Sequence, residues 1–289
     1  MDATPLMISA YGLKLHGLER NPQGSPAVLL LHGWLDHAHG FDWLCDALPG
    51  GTRSVALDFR GHGQSEHQSP GTSYALVDYV ADVSAAHEAL REPRLHLVGH
   101  SLGGTVALLF AAARPDAVAT LTLVESLGPS GGPPEQSVDR LRAFVSELGK
   151  SPRKRAYTRV EDAALKLREN NPGLPDAAAQ HLARFGTRST DAGLLFSFDP
   201  ALRRKSGMSF DEAQWTAILK AVQAPVQVIR GTRGAPFDPA VVQPRLDALR
   251  QPKVISLDGG HHVHLDRPAE VARAIQGFIE AQAQAPAPG

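Results

Sequence analysis

Six short apolar runs, each seven or eight residues long, set the architecture of this chain: AVLLLHG (27–33), RSVALDF (53–59), RLHLVGH (94–100), ATLTLVES (119–126), APVQVIRG (224–231) and KVISLDGG (253–260). Apolar residues at consecutive positions, bounded by Gly, Pro or charge, describe strands buried on both faces, as in a parallel sheet. Helix-patterned segments at 74–91, 102–114, 239–250 and 268–282 alternate with them. The alternation predicts an α/β fold with a mostly parallel sheet flanked by helices.

The alternation stops between Gly128 and about Trp215. That stretch opens with GPSGGPPEQS, continues through Arg- and Ala-rich helical patterns, and carries Pro breaks at 152, 172, 175 and 200. Its one strand-like run, GLLFSF, is ambiguous. We expect an inserted, mostly helical cap at 129–215 over the C-terminal edge of the strands, with a core made of 1–128 and 216–289. The chain has no internal repeats, and its tail, AQAQAPAPG, is expected to fray.

With 289 residues, a formal charge of −1 and 20% charged side chains, the chain suits one large soluble domain and has no global field to attract a polyanion. Nucleic acid and membrane partners are therefore not expected. The basic stretch SPRKRAYTR (151–159) is followed by Glu161 and Asp162 and reads as a solvated face. The N-terminal MDATPLMISAYG lacks the positive charge of a signal peptide, and no apolar stretch approaches the ~20 residues of a membrane helix. A cytoplasmic protein is the expectation. The single cysteine, Cys45, sits in the apolar-patterned FDWLCDALP and reads as a buried thiol.

The chemistry is signalled by VGHSLGG (98–104), which places Gly99, Ser101 and Gly103 in G-x-S-x-G spacing after a buried strand and at the start of a helix. A sharp strand-to-helix turn needs small neighbours and projects the Ser101 hydroxyl from the sheet edge, beside the unpaired N–H groups of a helix N-terminus. A serine hydroxyl is a weak nucleophile, so it needs a base, and the base needs an orienting carboxylate. DGGHHVHLDRP (258–268) offers His261, His262 and His264 after the last strand. His261 directly follows the strand-end glycines and is taken as the base, with His262 next. His262, His264 and Asp266 also have a metal-ligand spacing, but Arg267 stands where a further histidine would be wanted, so no metal or other cofactor is expected. The oxyanion donors are expected to be the N–H groups of Leu102 and, after the strand ending at His32 and Gly33, of Trp34.

HGW (32–34), DFRGHGQS (58–65), GHSLGG (99–104), PVQVIRG (225–231) and GGHHVHLDRP (259–268) together resemble the α/β-hydrolase superfamily, in its capped branch. ESLGP (125–129), RGTRG (230–234) and HHVHLDRP are similar, more narrowly, to the serine hydrolase-like group. The resemblance implies an eight-stranded, mostly parallel sheet and ester-type hydrolysis without a cofactor. It also implies a G-x-x-D acid after the penultimate strand, which would fall at position 234, where this chain has Gly234. Two carboxylates remain, Asp238 and Glu125. Members such as haloalkane dehalogenases place the acid at the strand end where Glu125 stands, and an ionisable residue there needs a partner to offset its desolvation. Glu125 is taken as the acid, with Asp238 as the alternative, either that or an N-cap for the helix that follows.

The expected reaction is hydrolysis of a small-molecule ester through an acyl-enzyme on Ser101. Thioester, lactone and carbon–carbon cleavage stay open on the same residues, and so does a non-catalytic binding protein with this fold. His32, His100, Phe196 and Phe198 are candidate pocket residues. Leu194, Leu195 and the two phenylalanines would either line an acyl pocket or form the cap's own core.

Overall fold

The computed structural model describes residues 2–129, 131–150, 155–204, 206–208, 210–234 and 238–284. Part of the basic stretch (151–154) and the end of the tail (285–289) lie outside the described residues. The strands are β1 (Thr4–Ala10), β2 (Leu13–Arg20), β3 (Ala27–Leu31), β4 (Arg53–Leu57), β5 (Leu95–His100), β6 (Val118–Val124), β7 (Thr187–Thr190), β8 (Gly193–Phe196), β9 (Val226–Gly231) and β10 (Lys253–Leu257). Eight form one sheet in the order β1-β2-β4-β3-β5-β6-β9-β10, while β7 and β8 form a separate antiparallel pair. Pairing is antiparallel from β1 to β2 and from β2 to β4, and parallel across the rest.

Six of the eight strands of the large sheet are the six apolar runs, and in all but the exposed edge strand β10 the burial of alternate side chains on opposite faces explains their continuous apolar character. In β3, Leu29 and Leu31 join one core cluster while Val28 and Leu30 join another on the opposite face. The first face is covered by α2 (its range is Leu76–Leu90) and α3 (Leu102–Ala113), and the second by α1 (Asp42–Ala47) and α10 (Pro268–Gln284). The antiparallel β1–β2 hairpin at one edge is additional to the runs read from the sequence.

Between β6 and β9 lie α4 (Ser137–Glu147), α5 (Val160–Asn170), α6 (Asp176–Gly186), the β7–β8 hairpin and α7 (Glu212–Ala221). GLLFSF thus contributes a strand, β8, to a segment expected to be mostly helical. Its own small core joins Tyr157, Ala163, Leu174 and Leu182 with Leu265, which comes from beyond β10. Helix α7 sits differently. Trp215, fully buried, belongs to the main core and donates its indole N–H to the Leu127 carbonyl at 2.9 Å. The core therefore reaches back past residue 216, the boundary expected from the sequence, to the start of α7. After β9 come α8 (Pro239–Ala248), β10, α9 (Val263–Asp266) and α10.

A buried carboxylate ties the loops at the C-terminal strand edge. Asp58 accepts from the Ala38 N–H (2.6 Å) and the Gln64 N–H (2.9 Å) and pairs with His16 Nδ1 at 2.8 Å. Burial pushes this carboxyl up, but His16, nearby His32 and the Gln64 N–H outweigh it, and its pKa falls to about 2. His96 is likewise shifted down from the ordinary histidine value. Burial, helped by Arg94, lowers it to about 4.

Both groups bind protons less readily folded than unfolded, so acid destabilises the fold. His96 contributes stability that is complete above pH ~6.5 and is lost as pH falls towards 4, and the Asp58 contribution is lost between roughly pH 4 and 2. Denaturant midpoints should therefore fall between pH 7 and 4.5, and His96→Gln should flatten that slope. A slope unchanged by His96→Gln would refute this assignment.

Candidate active site

The turn from β5 into α3 holds Ser101 at φ 50°, ψ −112°, a conformation that costs an L-residue about 1–3 kcal/mol. Tight packing enforces it. A Cβ on Gly103 would run into the Leu31 backbone carbonyl, and one on Gly99 would come within 2.5 Å of the Gly103 carbonyl oxygen. The two glycines of the motif are thus fixed by close approach of backbone to backbone, between α3 and β5 and between α3 and β3. Leu102 is the first residue of α3, where an N–H has no carbonyl four residues behind it.

Glu125 follows β6, the strand beside β5, and also has a positive φ, 52°. Its side chain is fully buried. Oε1 accepts from the Gly231 N–H at 2.7 Å, and Oε2 lies 3.2 Å from His261 Nδ1. Asp238, the alternative acid, is exposed and caps α8, accepting from the Ala240 N–H at 2.9 Å. Its carboxylate serves the helix terminus. Gly234 has a spatial explanation, because a Cβ there would sit 2.5 Å from Glu125 Cδ. The Glu125 carboxylate occupies the space that a side chain at 234 would need, so the two acid positions exclude each other.

His261 lies in the loop between β10 and α9. Its carbonyl accepts from His100 Nε2 at 2.9 Å, and the preceding Gly260 N–H donates to Asp266 Oδ2 at 2.6 Å. Asp266 therefore shapes this loop. His264 is fully buried against Phe41 and His100, and the donor atoms of His262, His264 and Asp266 are not among those that converge as a metal set in the described residues. Burial holds His100 and His264 well below the usual histidine range, each lowered further by neighbouring imidazoles.

A cavity of about 510 Å³ opens over Ser101 and His261. Its walls come from the loop after β3 (Gly33, Trp34, Asp36), the end of α5 (Lys166, Asn170), α6 (Leu182) and the Phe196–Phe198 stretch. Trp34, Phe196, Phe198 and His100 thus line it. His32 does not; it lies fully buried beneath, accepting from the Phe59 N–H at 3.1 Å through Nε2 and bonding the Gly33 carbonyl at 2.7 Å through Nδ1. Its expected pocket role gives way to a structural one in the loop. Leu102 is not among the lining side chains, and only its backbone bears on the site. Phe196 and Phe198 stack at 5.3 Å; Leu194 and Phe196 pack against the small cluster of Tyr157, Ala163 and Leu182, whereas Phe198 belongs to the main core and not to the cap's own. Lys166, Asn170, Asn171 and Arg203 were missed in the sequence. ENNPG (169–173) signals a helix end, but nothing in it says which way that end faces.

A family profile described as "alpha/beta hydrolase fold" matches residues 26–268. The chain belongs to that family. Among relatives of this α/β hydrolase is a "Serine hydrolase-like protein" of Danio rerio, 31% identical over 93% of this chain and 86% of the other. Among solved structures, the hypothetical protein PA1622 from Pseudomonas aeruginosa PAO1 has a TM-score of 0.86 at 32% identity, over 97% of this chain and 99% of that one. A thioesterase domain from the curacin biosynthetic pathway also has a TM-score of 0.86, at 27% identity, over 96% of this chain and 100% of the other.

The close approach at the serine turn is open to test by stability alone. Gly103→Ala forces a methyl against backbone and should destabilise this hydrolase by about 1–3 kcal/mol. Gly277→Ala, in α10 with open space around the added methyl, should be neutral or stabilising by roughly 0.5–1 kcal/mol. Denaturant unfolding of the two variants checks the contrast, and equal effects would contradict it.

Proposed function

We propose that this α/β hydrolase is a serine-dependent hydrolase of ester-type bonds in small molecules, working through an acyl-enzyme on Ser101. The observation that carries this reading is the arrangement of Ser101 and His261 on one cavity, with His261 Nδ1 3.2 Å from a buried carboxylate. In this reaction His261 takes the Ser101 proton as Oγ attacks the ester carbonyl. Glu125 holds the ring with Nδ1–H towards itself and stabilises the imidazolium as it forms. The N–H groups of Trp34 and Leu102 receive the oxyanion. His261 then gives the proton to the departing alcohol, and water repeats the sequence to release the acid. The segment from α4 to β8 acts as a cap, and its part of the cavity wall selects the acyl group.

A thioester is the second reading, supported by the likeness to the curacin thioesterase domain and by the same serine chemistry, in which a thiol leaves in place of an alcohol. Parallel kcat/KM measurements on matched p-nitrophenyl esters and acyl thioesters distinguish the two.

Ser101→Ala should abolish hydrolysis and labelling by a fluorophosphonate probe, and intact activity would refute the mechanism. Glu125→Gln should lower kcat by ~10²–10⁴-fold, since it loses the fixed charge that orients the ring. Asp238→Asn should leave kcat essentially unchanged, because Asn also caps helices well. The reverse ranking of these two variants would move the acid to Asp238.

A further inference from the structure

Three side chains on the cavity wall take no chemical step in the proposed hydrolysis and converge from three separate segments of the chain. Asp36 follows β3, His100 ends β5, and His262 follows β10. Their donor atoms all lie within 4.8 Å of one another. We infer that Asp36, His100 and His262 form a binding site for a divalent transition-metal ion inside the substrate cavity, and that filling it shuts the substrate out.

The state of the two most buried donors argues for a built site. The His261 carbonyl can only accept, so His100 Nε2 carries the hydrogen in their 2.9 Å bond and Nδ1 is left with its lone pair. That lone pair has no hydrogen-bond partner among the described residues, although His100 is only 1% exposed. Asp36 is likewise divided. Oδ1 accepts from the His37 N–H at 2.8 Å, while the buried Oδ2 has no partner among the described residues. Leaving such groups unsatisfied costs free energy, and a metal ion would satisfy both at once. The His100 hydrogen bond to a backbone carbonyl is also the outer support that metal-bound histidines ordinarily have.

Two imidazoles and one carboxylate suit zinc or a neighbouring transition metal and do not suit magnesium or calcium, which take oxygen donors. Tetrahedral zinc with bonds of roughly 2.1 Å needs donors about 3.4 Å apart, so the set must draw in slightly on binding. His262, part-exposed on the cavity wall, is the least buried of the three. The fourth position faces the cavity that Ser101 and His261 also line. A metal there takes the space a substrate has to enter.

Chelator-treated protein titrated with zinc chloride in a calorimeter tests the site directly. One equivalent should bind, and cobalt should give the absorption of a tetrahedral ion. Asp36→Asn and His262→Gln, each checked for native circular dichroism, should weaken binding at least tenfold. His261→Gln, which keeps the backbone carbonyl, should not. Magnesium should not bind. The site is overturned if no stoichiometric zinc binds, if both Asp36→Asn and His262→Gln bind it as wild type does, or if His261→Gln abolishes binding. Hydrolysis of a p-nitrophenyl ester should fall with the same midpoint as zinc binding. A rate unchanged at saturating zinc would overturn the blocking effect, and this arm alone rests on the proposed hydrolase activity.

Discussion

The contact between the Gly103 position and the Leu31 carbonyl is the constraint on which the site depends. It brings the start of α3 against the end of β3, so the chain leaving β5 has to turn within one residue. Ser101 absorbs that turn in a strained conformation. The same contact sets the loop after β3, which carries Trp34 and Asp36, beside the serine. Asp58 then fixes this loop from below through the Ala38 N–H. Candidate nucleophile, candidate oxyanion donor and cavity wall are thus positioned by one backbone approach and one buried carboxylate.

The candidate acid position shows how a carboxylate can reach His261 from a strand end other than the expected one. Glu125 reaches His261 from β6, its longer side chain crossing space that a residue after β9 would otherwise fill. Gly234 is the consequence, since any side chain there would meet the Glu125 carboxylate. Strand β9 still takes part, because its last residue, Gly231, donates its N–H to Glu125. The strand expected to carry an acid instead hydrogen-bonds one.

Legibility in the sequence followed how local each signal was. Five of the six strands read from apolar runs lie inside the sheet, where burial on both faces leaves continuous apolar character, while β10 is a largely exposed edge whose run VISL was apolar all the same. The β1 edge strand buries little of its length, and the four-residue β7 and β8 are mostly half-buried, so neither leaves a clear pattern. Ser101 and His261 stand in short motifs whose spacing reports their surroundings. The space shared by Glu125 and Gly234 joins residues 109 positions apart, and the sequence carried only its negative trace, a glycine where an acid was expected. His32 was misplaced because a strand-end histidine reads the same whether its ring turns to the cavity or into the loop beneath. Lys166, Asn170 and Arg203 depend on how α5 and the stretch after β8 dock over the sheet, which no local pattern encodes.

The histidine-rich floor of the cavity follows from the same electrostatics. Glu125 is a buried carboxylate that accepts from the Gly231 N–H and faces the His261 imidazole, in surroundings where charge interactions are stronger than in water. A second imidazolium nearby would compete for that charge and repel a proton arriving at His261. The His100 and His261 rings lie 4.9 Å apart, and those of His100 and His264 lie 4.3 Å apart. Burial keeps His100 and His264 neutral, so neither opposes the proton that His261 has to take up in the proposed reaction. Neutral His100 still donates its Nε2–H to the His261 backbone carbonyl, holding the loop in place without adding charge. The desolvation that costs these rings their protons thereby keeps competing positive charge away from the Glu125 carboxylate.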